Sequence, residues 1–318
     1  MKIDNWKLKI QTINSALAWA TRELKKSSRS PALDSEVLLC HILKRDKSYL
    51  YANQDKKLSN IQNTKYQILI RKRARRWPVA YLTGRKEFFG LDFVVTPDVL
   101  IPRPETELLV ELAIQRIKNH PLFISPLERG KKKRGLNIID LGTGSGCIII
   151  SLAKKLAASA ELDHHTPHFY ATDSSTKALK IACANARRHG VAKKIRFIQN
   201  NLFENCKLKI ENSLLLANLP YLTPAQVKSN PDLKYEPCGA LVAGKDGMEH
   251  FKKLFKQIPP LKIRGGKEEL LILLEHDPSQ KQKLTHLAKK YFPKAKIKFH
   301  RDLSGRFRIC EINFPMLY

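Results

Sequence analysis

The sequence lacks the features that would place it among secreted, metal-binding or membrane proteins. Its six cysteines are scattered without a C-x-x-C pair, which argues against a disulfide framework and a zinc site. No apolar run reaches the ~18 residues of a membrane span, and the N-terminus MKIDNWKLKIQ has no signal-peptide core. His164, His165 and His168 have no partners at metal-ligand spacing, so we interpret them as a polar loop. We expect a soluble, cytoplasmic, monomeric protein without metal.

Acidic residues are scarce beside basic ones: 29 Asp and Glu face 58 Lys and Arg, giving a net charge of +29. Such a charge favours an acidic partner, with nucleic acid first. Because the lysines are spread over the whole chain, a solvated basic surface explains the charge equally well. A hydrophobic share of 43% suffices for a real core, and 318 residues indicate about two domains.

Residues 1–85 predict a helical domain. Ser30-Pro31 is a cap followed by proline at the first helical position, and a third helix is expected from about Asn60 to Arg76. Its end is the basic run Arg71 to Arg76, before Trp77-Pro78. This run could bind phosphates, or it could be a solvated helix end where cations are favourable. The first helix is predicted from apolar residues at helical spacing, namely Ile10, Ile13, Leu17 and Leu24.

Residues 86–103 change to β-type residues broken by Gly90 and Pro97, which predicts a short hairpin linking two domains. Pro104 can begin a helix, because proline suits its first position, and this helix would end at Pro121. The basic stretch 130–135 is expected to be a loop without chemistry.

From Leu136 onward, short apolar runs alternate with amphipathic segments, which predicts βαβ units and a parallel sheet. The fold class is therefore α/β over residues 104–318. The last two strands are expected to form an antiparallel hairpin at the sheet edge, joined by the turn at 302–305. Predicted strands lie near 137–141, 168–172, 195–199, 213–218, 269–275, 295–300 and 307–314, and predicted helices at 146–158, 175–188, 247–258 and 279–291.

A glycine-rich loop follows the first predicted strand of this sheet, with glycines at 142, 144 and 146. Glycines at a strand-to-helix junction let the backbone approach a ligand closely. The spacing, with Asp140 before it, favours S-adenosylmethionine over a dinucleotide. Asp140 would meet the ammonium end of the cofactor, directly or through water, and Asp173 would accept from its ribose hydroxyls. The predicted cofactor loop comprises Gly142, Thr143, Gly144, Ser145 and Gly146.

The stretch Asn218-Leu219-Pro220-Tyr221 follows the strand at 213–218. An asparagine carbonyl and a backbone carbonyl beside proline can accept two hydrogen bonds from a substrate NH₂ group, and tyrosine offers a flat ring. Alternatively, the tetrapeptide is a strand end with an Asn-x-Pro turn. Taken with the glycine loop and Asp173, it indicates a methyltransferase acting on an amide or exocyclic amine.

Nearly the whole chain resembles the HemK/PrmC protein-glutamine methyltransferases, a family with a helical N-terminal domain, a linking hairpin and a Rossmann-like methyltransferase domain. The run Ile101 to Glu107 (IPRPETE) is the most discriminating part of the resemblance. Further matching segments are Pro78 to Gly84, Phe88 to Leu91, Thr96 to Glu107, Asp140 to Gly146, Asn218 to Tyr221, Glu236-Pro237, Leu241 to Gly247 and Asp302 to Arg306.

The resemblance implies methylation, from S-adenosylmethionine, of the glutamine amide in the Gly-Gly-Gln motif of peptide-chain release factors. It places substrate contacts at Arg103, Pro104 and Glu105, with residues 1–85 as the substrate-recognition domain. Asn218, Pro220 and Tyr221 would be the catalytic residues, and Leu219 would also contact substrate. The family pattern has Asn-Pro-Pro-Tyr, an acid after the third strand and Glu-x-Gly after the fifth. Here those places hold Leu219, Asn201 with Leu202 at the adenine pocket, and Glu275-His276-Asp277.

Two other functions stay open from the sequence. The charge and the Asn-Leu-Pro-Tyr motif also suit a methyltransferase acting on exocyclic amines of ribosomal RNA or DNA, which unstacks its target base. A non-catalytic adapter could keep the fold and bind translation components through its basic surface. Beside release factors, we expect weak nucleic-acid or ribosome contact through that surface. The run Ile101 to Glu107 argues against the first, and the intact glycine loop with Asn218 argues against the second.

Overall fold

The computed structural model describes residues 12–119, 135–157, 167–204, 208, 210, 212–258 and 270–314. The chain divides into two compact units, Met1–Arg85 with Asn230–Tyr235, and Lys86–Ser229 with Glu236–Tyr318. Several predicted features lie outside the described residues: Ile10, Pro121, the basic residues 130–134, and His164 with His165. The predicted domain roles remain predictions. Across the described residues, no helix combines the length and apolarity needed to cross a membrane.

The first unit is helical. Its helices are α1 (Ile13–Leu24), α2 (Pro31–Leu43), α3 (Lys47–Ala52), α4 (Asn60–Ala74) and α5 (Val79–Thr83). The short helices α3 and α5 escaped the sequence analysis because one or two turns carry too little periodicity. Helix α4 ends two residues before the predicted Arg76, which has φ +69°. Pro78 also disfavours helical backbone at the residue before it.

Polar contacts fasten the helices of this unit to one another. The Tyr66 hydroxyl, buried between helices, donates to the Ser35 carbonyl at 3.0 Å. Arg73 Nε lies 2.6 Å from Asp34 Oδ2, and both side chains are largely buried. Ser30 occupies the N-cap position of α2 as expected but makes no side-chain cap bond. Arg73, one residue of the predicted basic run, therefore belongs to the interior of the unit.

The segment Asn230–Tyr235 belongs to this helical unit, although it follows the fourth strand of the sheet in sequence. The Tyr235 ring lies 4.6 Å from the Trp77 ring, centroid to centroid, and the Tyr235 hydroxyl donates to the Arg75 carbonyl. Arg76 forms an ion pair with Asp232 at 3.1 Å. The end of α4 is thus covered by a segment that no local pattern would have assigned to it.

The predicted hairpin consists of β1 (Arg85–Phe88) and β2 (Leu91–Val94), and all of it except Arg85 belongs to the second unit. Positive φ at both Phe89 and Gly90 gives the tight turn whose twist matches paired strands. Asn185 holds β2 by accepting from the Val94 N–H and donating to its carbonyl, at 2.8 and 3.0 Å. Pro104–Thr106 then forms a single 3₁₀ turn, and α6 (Glu107–Lys118) follows it.

Seven described strands form one sheet, and they are β3 (Asn137–Leu141), β4 (His168–Asp173), β5 (Ile195–Gln199), β6 (Ser213–Ala217), β7 (Leu270–Glu275), β8 (Lys296–Arg301) and β9 (Phe307–Asn313). Their order across the sheet is β5-β4-β3-β6-β7-β9-β8. Strands β3 to β7 pair in parallel, whereas β9 runs antiparallel to β7 and to the edge strand β8. The terminal hairpin is therefore as predicted, and the α/β fold class is confirmed.

Helices cover both faces of the sheet, so its central strands are buried on both sides. Ile138 joins one hydrophobic cluster while Ile139 and Leu141 join the other, as the alternation of a strand requires. The chain order reverses between β3 and β6, where ligands bind in open parallel sheets. The helices of this unit, besides α6, are α7 (Cys147–Ala157), α8 (Thr176–Arg188), α9 (Pro224–Ser229), α10 (Glu249–Gln257) and α11 (Lys281–Tyr291).

Candidate active site

A cavity of about 350 Å³ lies at the carboxyl ends of β3, β4 and β6, within the second unit. Three segments that follow those strands line it: residues 142–145, 173–175 and 218–220. Part of the run at 98–106, residues 200–202 after β5 and the short turn near Ala240 also contribute to the lining. The volume falls in the range of small-molecule sites. Segments far apart in sequence thus meet at the position where a ligand is expected.

The glycine loop follows β3 directly. Gly142, Gly144 and Gly146 have φ of +71°, +56° and +81°, a region that residues with a side chain rarely occupy. A Cβ on Gly146 would lie 2.7 Å from Ile150 Cδ1, so this glycine permits close packing of the loop against α7. Near Gly144 the closest such neighbour is the Gly142 carbonyl at 3.9 Å. The loop backbone can therefore approach a ligand at Gly144.

Asp140 lies behind the loop and does not line the cavity. Its side chain is fully buried, and Oδ2 accepts from the Thr143 hydroxyl at 2.6 Å. Burial raises the pKa of Asp140 to about 7, although the Thr143 hydrogen bond opposes the shift. Oδ1 makes no hydrogen bond within the described residues. Asp140 thus stabilises the glycine loop through its hydrogen bond with Thr143.

Asp173 ends β4 and lines the cavity. Its Oδ2 accepts from the Gly144 N–H at 2.9 Å, and its Oδ1 from the Ser175 N–H at 2.8 Å. Burial raises the pKa of this carboxyl, and the backbone N–H groups partly offset the rise. Since each carboxylate oxygen has two lone pairs, both can accept a further hydrogen bond. Asp173 therefore holds the glycine loop in place as well as facing the cavity.

Asn201 and Leu202, predicted at the adenine pocket, both line the cavity after β5. Leu202 is buried and has φ +59°, which is unusual for a residue with a branched side chain. The Asn200 N–H donates to the Asp173 carbonyl at 2.9 Å and connects this turn to the end of β4. Such strained backbone is concentrated at ligand sites.

The side chain of Asn218, half-buried at the cavity wall, is connected to a network of buried polar groups. Asn218 Nδ2 donates to Thr106 Oγ1 at 3.0 Å, and that hydroxyl donates to Glu275 Oε2 at 2.6 Å. The Tyr221 hydroxyl donates to the other oxygen, Glu275 Oε1, at 3.2 Å. Because Nδ2 is directed at Thr106, the Asn218 carbonyl is the end of the amide turned away from it.

Glu275 is the centre of this network and is fully buried at the end of β7. Burial raises its pKa to about 7, while the hydrogen bonds from Thr106 and Tyr221 act in the opposite direction. Burial also raises the pKa of the Tyr221 hydroxyl. The family pattern places Glu-x-Gly here, and the glutamate of that pattern is the residue that receives both hydroxyl groups.

The remaining motif residues after β6 take different positions. Leu219 is buried and lines the cavity, and a Cβ on Gly142 would lie 3.3 Å from Leu219 Cδ2. Pro220 also lines the cavity, whereas Tyr221 does not. The Tyr221 carbonyl accepts from Gln280 Nε2 at 2.8 Å, which fixes the backbone after the motif. The structure therefore places Tyr221 among the supporting residues of the site.

The run at 101–107 contributes Arg103 to the cavity lining, but Pro104 and Glu105 are outside it. The guanidinium of Arg103 forms an ion pair with Glu236, which is almost fully buried. Glu236 Oε2 also accepts from the Ile101 N–H at 3.2 Å. Pro104 begins the 3₁₀ turn that carries Thr106 to the site. Arg103 and Pro104 thus shape this loop, and Thr106 lines the cavity together with Arg103.

Sequence reasoning assigned no role in the site to Thr106, Glu236, Glu275 or Gln280. Thr106 and Glu236 lie inside segments that carried the family resemblance, without an assigned role. A carboxyl at the end of the buried strand β7 is a further signal, since a buried charge needs partners. His250 also lines the cavity, and no local pattern distinguished it.

Comparison with known proteins agrees with this geometry. Residues 15–84 match the PrmC N-terminal domain, and residues 132–228 match a methyltransferase domain. A Coxiella burnetii release factor glutamine methyltransferase is 35% identical over 300 residues, covering 94% of this chain and 97% of its own. A Vibrio cholerae protein of the same name is 34% identical over 271 residues, covering 85% of each chain.

Among solved structures, the hMettl16 catalytic domain in complex with a MAT2A 3'UTR hairpin superposes with a TM-score of 0.51. That similarity covers 77% of this chain and 82% of the other at 16% identity, so it shows the fold alone. The sequence relatives are closer and span nearly the full length. The resemblance read from the motifs is thereby confirmed, and the chain belongs to the family of release factor glutamine methyltransferases.

Proposed function

We propose that this protein transfers a methyl group from S-adenosylmethionine to the side-chain amide nitrogen of the glutamine in the Gly-Gly-Gln motif of peptide-chain release factors. The observation that carries the proposal is the fixed amide of Asn218, whose nitrogen is bound by Thr106 beside the glycine loop. The enzyme class, the cofactor and the reaction agree with the family to which the chain belongs.

The residues present fit S-adenosylmethionine. Gly144 leaves open space next to the loop backbone, and Asp173 presents a carboxylate to the same cavity. Asn201 and Leu202 line the part of the cavity that lies after β5. These residues would hold the cofactor, with hydroxyl groups donating to Asp173. When bound, S-adenosylmethionine supplies an electrophilic methyl group.

The role of Asn218 in this reaction is orientation of the substrate amide. An amide nitrogen is a weak nucleophile, because its lone pair is delocalised into the carbonyl. The Asn218 carbonyl and the backbone carbonyl of Leu219 or Pro220 would accept the two N–H groups and direct the nitrogen at the methyl group. Alignment of this kind contributes up to about 7–11 kcal/mol to lowering a barrier.

The same carbonyl groups also stabilise the transition state. Positive charge moves onto the substrate nitrogen as the new bond forms, and fixed carbonyl dipoles favour that charge. Both oxygens of Glu275 already accept hydrogen bonds from Thr106 and Tyr221, so this carboxylate is engaged in holding the site. The nitrogen becomes more acidic on methylation, and its proton leaves to water.

Release factors would be recognised partly by the helical unit, which we assign to substrate recognition. Its exposed cations Arg71, Lys72 and Arg75 suit an acidic partner surface. We further propose that the enzyme is a cytoplasmic monomer whose basic surface makes weak contacts with nucleic acid or the ribosome.

A second function, methylation of exocyclic amines in RNA or DNA, is favoured by the net charge of +29 and by the Asn-Leu-Pro-Tyr motif. The two functions share the chemistry of a planar NH₂ group and differ in substrate. The charge supports nucleic-acid contact without bearing on which nitrogen is methylated. We therefore retain it as the alternative.

The deciding experiment offers labelled S-adenosylmethionine and the purified protein to a release factor and to ribosomal RNA in parallel. We expect label on the release factor, and mass mapping should place one methyl group on the glutamine of Gly-Gly-Gln. A release factor in which that glutamine is replaced by glutamate is the matched control and should stay unlabelled. Label confined to RNA would establish the alternative and refute the proposal.

A further inference from the structure

The hydroxyl of Thr106 and the carboxylate of Glu275 form a chain of hydrogen bonds that ends on Asn218. We propose that Thr106 and Glu275 are positioning residues that keep the Asn218 amide in one of its two flipped orientations, with its carbonyl towards the substrate. This inference rests on the proposed function for its kinetic consequence. Its structural part, the fixed amide, can be tested without any substrate.

The geometry specifies the direction of each hydrogen bond. Ionised Glu275 can only accept, and the Thr106 hydroxyl donates to its Oε2 at 2.6 Å. With its single proton used in this way, Thr106 Oγ1 has only lone pairs to offer Asn218. The amide must therefore present its NH₂ end, which lies 3.0 Å away. A flipped amide would bring two acceptor oxygens together.

Burial makes the arrangement stiff. Thr106 is 1% exposed and Glu275 is 1% exposed, so water cannot replace either partner. Tyr221 holds the second carboxylate oxygen at 3.2 Å, which prevents Glu275 from rotating away. Thr106 is 169 residues from Glu275 and 112 from Asn218 in sequence, so only the tertiary fold assembles the chain of hydrogen bonds.

The state of Glu275 adds a pH dependence to this device. Burial raises the pKa of Glu275 to about 7, and a protonated carboxyl could donate to Thr106. That would free the Thr106 hydroxyl to donate to Asn218 and allow the flipped amide. The rate should therefore fall as pH falls through about 7. Among the described residues, Glu275 interacts electrostatically with four other charged or titratable groups: Tyr221 after β6, Arg308 on β9, Glu105 on the 3₁₀ turn and Cys147 on α7.

The kinetic test compares Thr106→Val, which keeps the shape but removes the hydroxyl, with Thr106→Ser, which keeps the hydroxyl. We expect Thr106→Val to lower kcat on a release factor about 10- to 100-fold with cofactor affinity unchanged by calorimetry. Thr106→Ser should recover most of the rate. Thr285→Val is the matched control, since within the part of the chain that the structure describes its hydroxyl bonds only to the Lys281 carbonyl in α11. Equal kcat in Thr106→Val and wild type would overturn the proposal.

The pH test uses Glu275→Gln, which cannot titrate. Asp140 has a pKa of about 7 as well, so the wild-type profile alone does not identify the group. We expect Glu275→Gln to turn over more slowly than wild type and to lose the fall in rate near pH 7. If the rate of Glu275→Gln still falls near pH 7 as in the wild type, another group causes the fall, and the proposed role of Glu275 is contradicted.

The substrate-free test measures the side-chain amide of Asn218 by ¹⁵N NMR, assigned by its loss in Asn218→Asp. We expect the resonance to move in Thr106→Val and to return towards its wild-type position in Thr106→Ser. Thermal unfolding and cofactor affinity verify that each variant is folded. An unchanged resonance in folded Thr106→Val would refute this inference but not the proposed function. A wild-type enzyme that does not methylate glutamine would refute the proposed function, and the NMR result would still test the orientation of the amide.

Discussion

The helical unit and the methyltransferase unit place their buried polar groups in contrasting ways. In the helical unit, Asp34 accepts hydrogen bonds from the hydroxyls of Ser28 and Ser30, a few residues away in sequence. It also pairs with Arg73, which lies 39 residues further along the chain. In the methyltransferase unit, Thr106 and Glu275 are 169 residues apart in sequence and form a hydrogen bond at the carboxyl end of the sheet strand β7. The first set secures helices, whereas the second creates a site.

This contrast predicts which substitutions should affect chemistry. Contacts within the helical unit support the fold, and Arg71, Lys72 and Arg75 stay exposed. Contacts at the carboxyl edge of the sheet control the orientation of groups that would touch substrate and cofactor. We therefore expect effects on the chemical step to be confined to the second unit, and effects on encounter to the first.

The largest effect is expected for Asn218→Ala, which removes the carbonyl proposed to hold the substrate amide. The rate should fall roughly 10²–10³-fold, by analogy with the loss of one positioned group in an oxyanion site. Asn218→Asp keeps an acceptor and the shape, so it should retain part of the activity. Single-turnover methylation of a release factor measures both variants. Asn53→Ala, in the helical unit, is the control, and wild-type rates in Asn218→Ala would disprove the role.

Next in size is Asp173→Ala, which we expect to weaken S-adenosylmethionine binding. Losing one or two charge-assisted hydrogen bonds costs about 1.5–3 kcal/mol each. The structure adds a second consequence, since Asp173 also accepts from the N–H groups of Gly144 and Ser175. Asp173→Asn keeps an acceptor oxygen and should lose less. Calorimetry gives the affinity and thermal unfolding the stability, and unchanged affinity in Asp173→Ala would exclude the cofactor role.

A smaller effect is expected from neutralising the basic run in the helical unit. Arg73 and Arg76 pair with Asp34 and Asp232, so the exposed members are the ones to change. Glutamine at Arg71, Lys72 and Arg75 should slow association with a release factor severalfold and flatten its salt dependence. The single-turnover rate on bound substrate should stay the same.

The control for the basic run removes equal charge from α11, by placing glutamine at Lys283, Lys289 and Lys290, which are exposed. Stopped-flow association at several salt concentrations compares the two triple variants. If the association rates of both variants depend on salt identically, the basic run is a solvated helix end, and only the net charge of the protein affects association.

The smallest effect is expected for Leu219→Pro, which restores the commoner family motif. Asn218, Pro220 and the backbone carbonyls remain, so activity on a Gly-Gly-Gln peptide should be neutral or mildly raised, within about threefold. Leu219 is buried against the Gly142 loop, so some stability should be lost with its side chain. Turnover and thermal unfolding measure these outcomes, and a loss of activity beyond tenfold would show that this chain depends on leucine here.

Much of the fold could be predicted because its patterns are local. The strand Asn137–Leu141 and the helix Thr176–Arg188 lie within a residue or two of their predicted bounds, since buried strands are apolar runs and helices have apolar stripes. The glycine loop was predictable because its backbone needs positive φ. The short helices Lys47–Ala52 and Val79–Thr83 were missed, because one or two turns carry little signal.

The succession of the longer strands and helices, the glycine-rich loop after β3 and the place of Asn218 after β6 could be predicted from the sequence by itself, because they depend on residue types within a few positions. Only the folded chain shows that Thr106 bonds to both Asn218 and Glu275, and that Asn230–Tyr235 joins the helical unit. Those contacts depend on strand register and on packing between distant segments. A hydroxyl or a carboxyl has many possible partners in a sequence, and only the folded chain brings a particular pair within hydrogen-bonding distance.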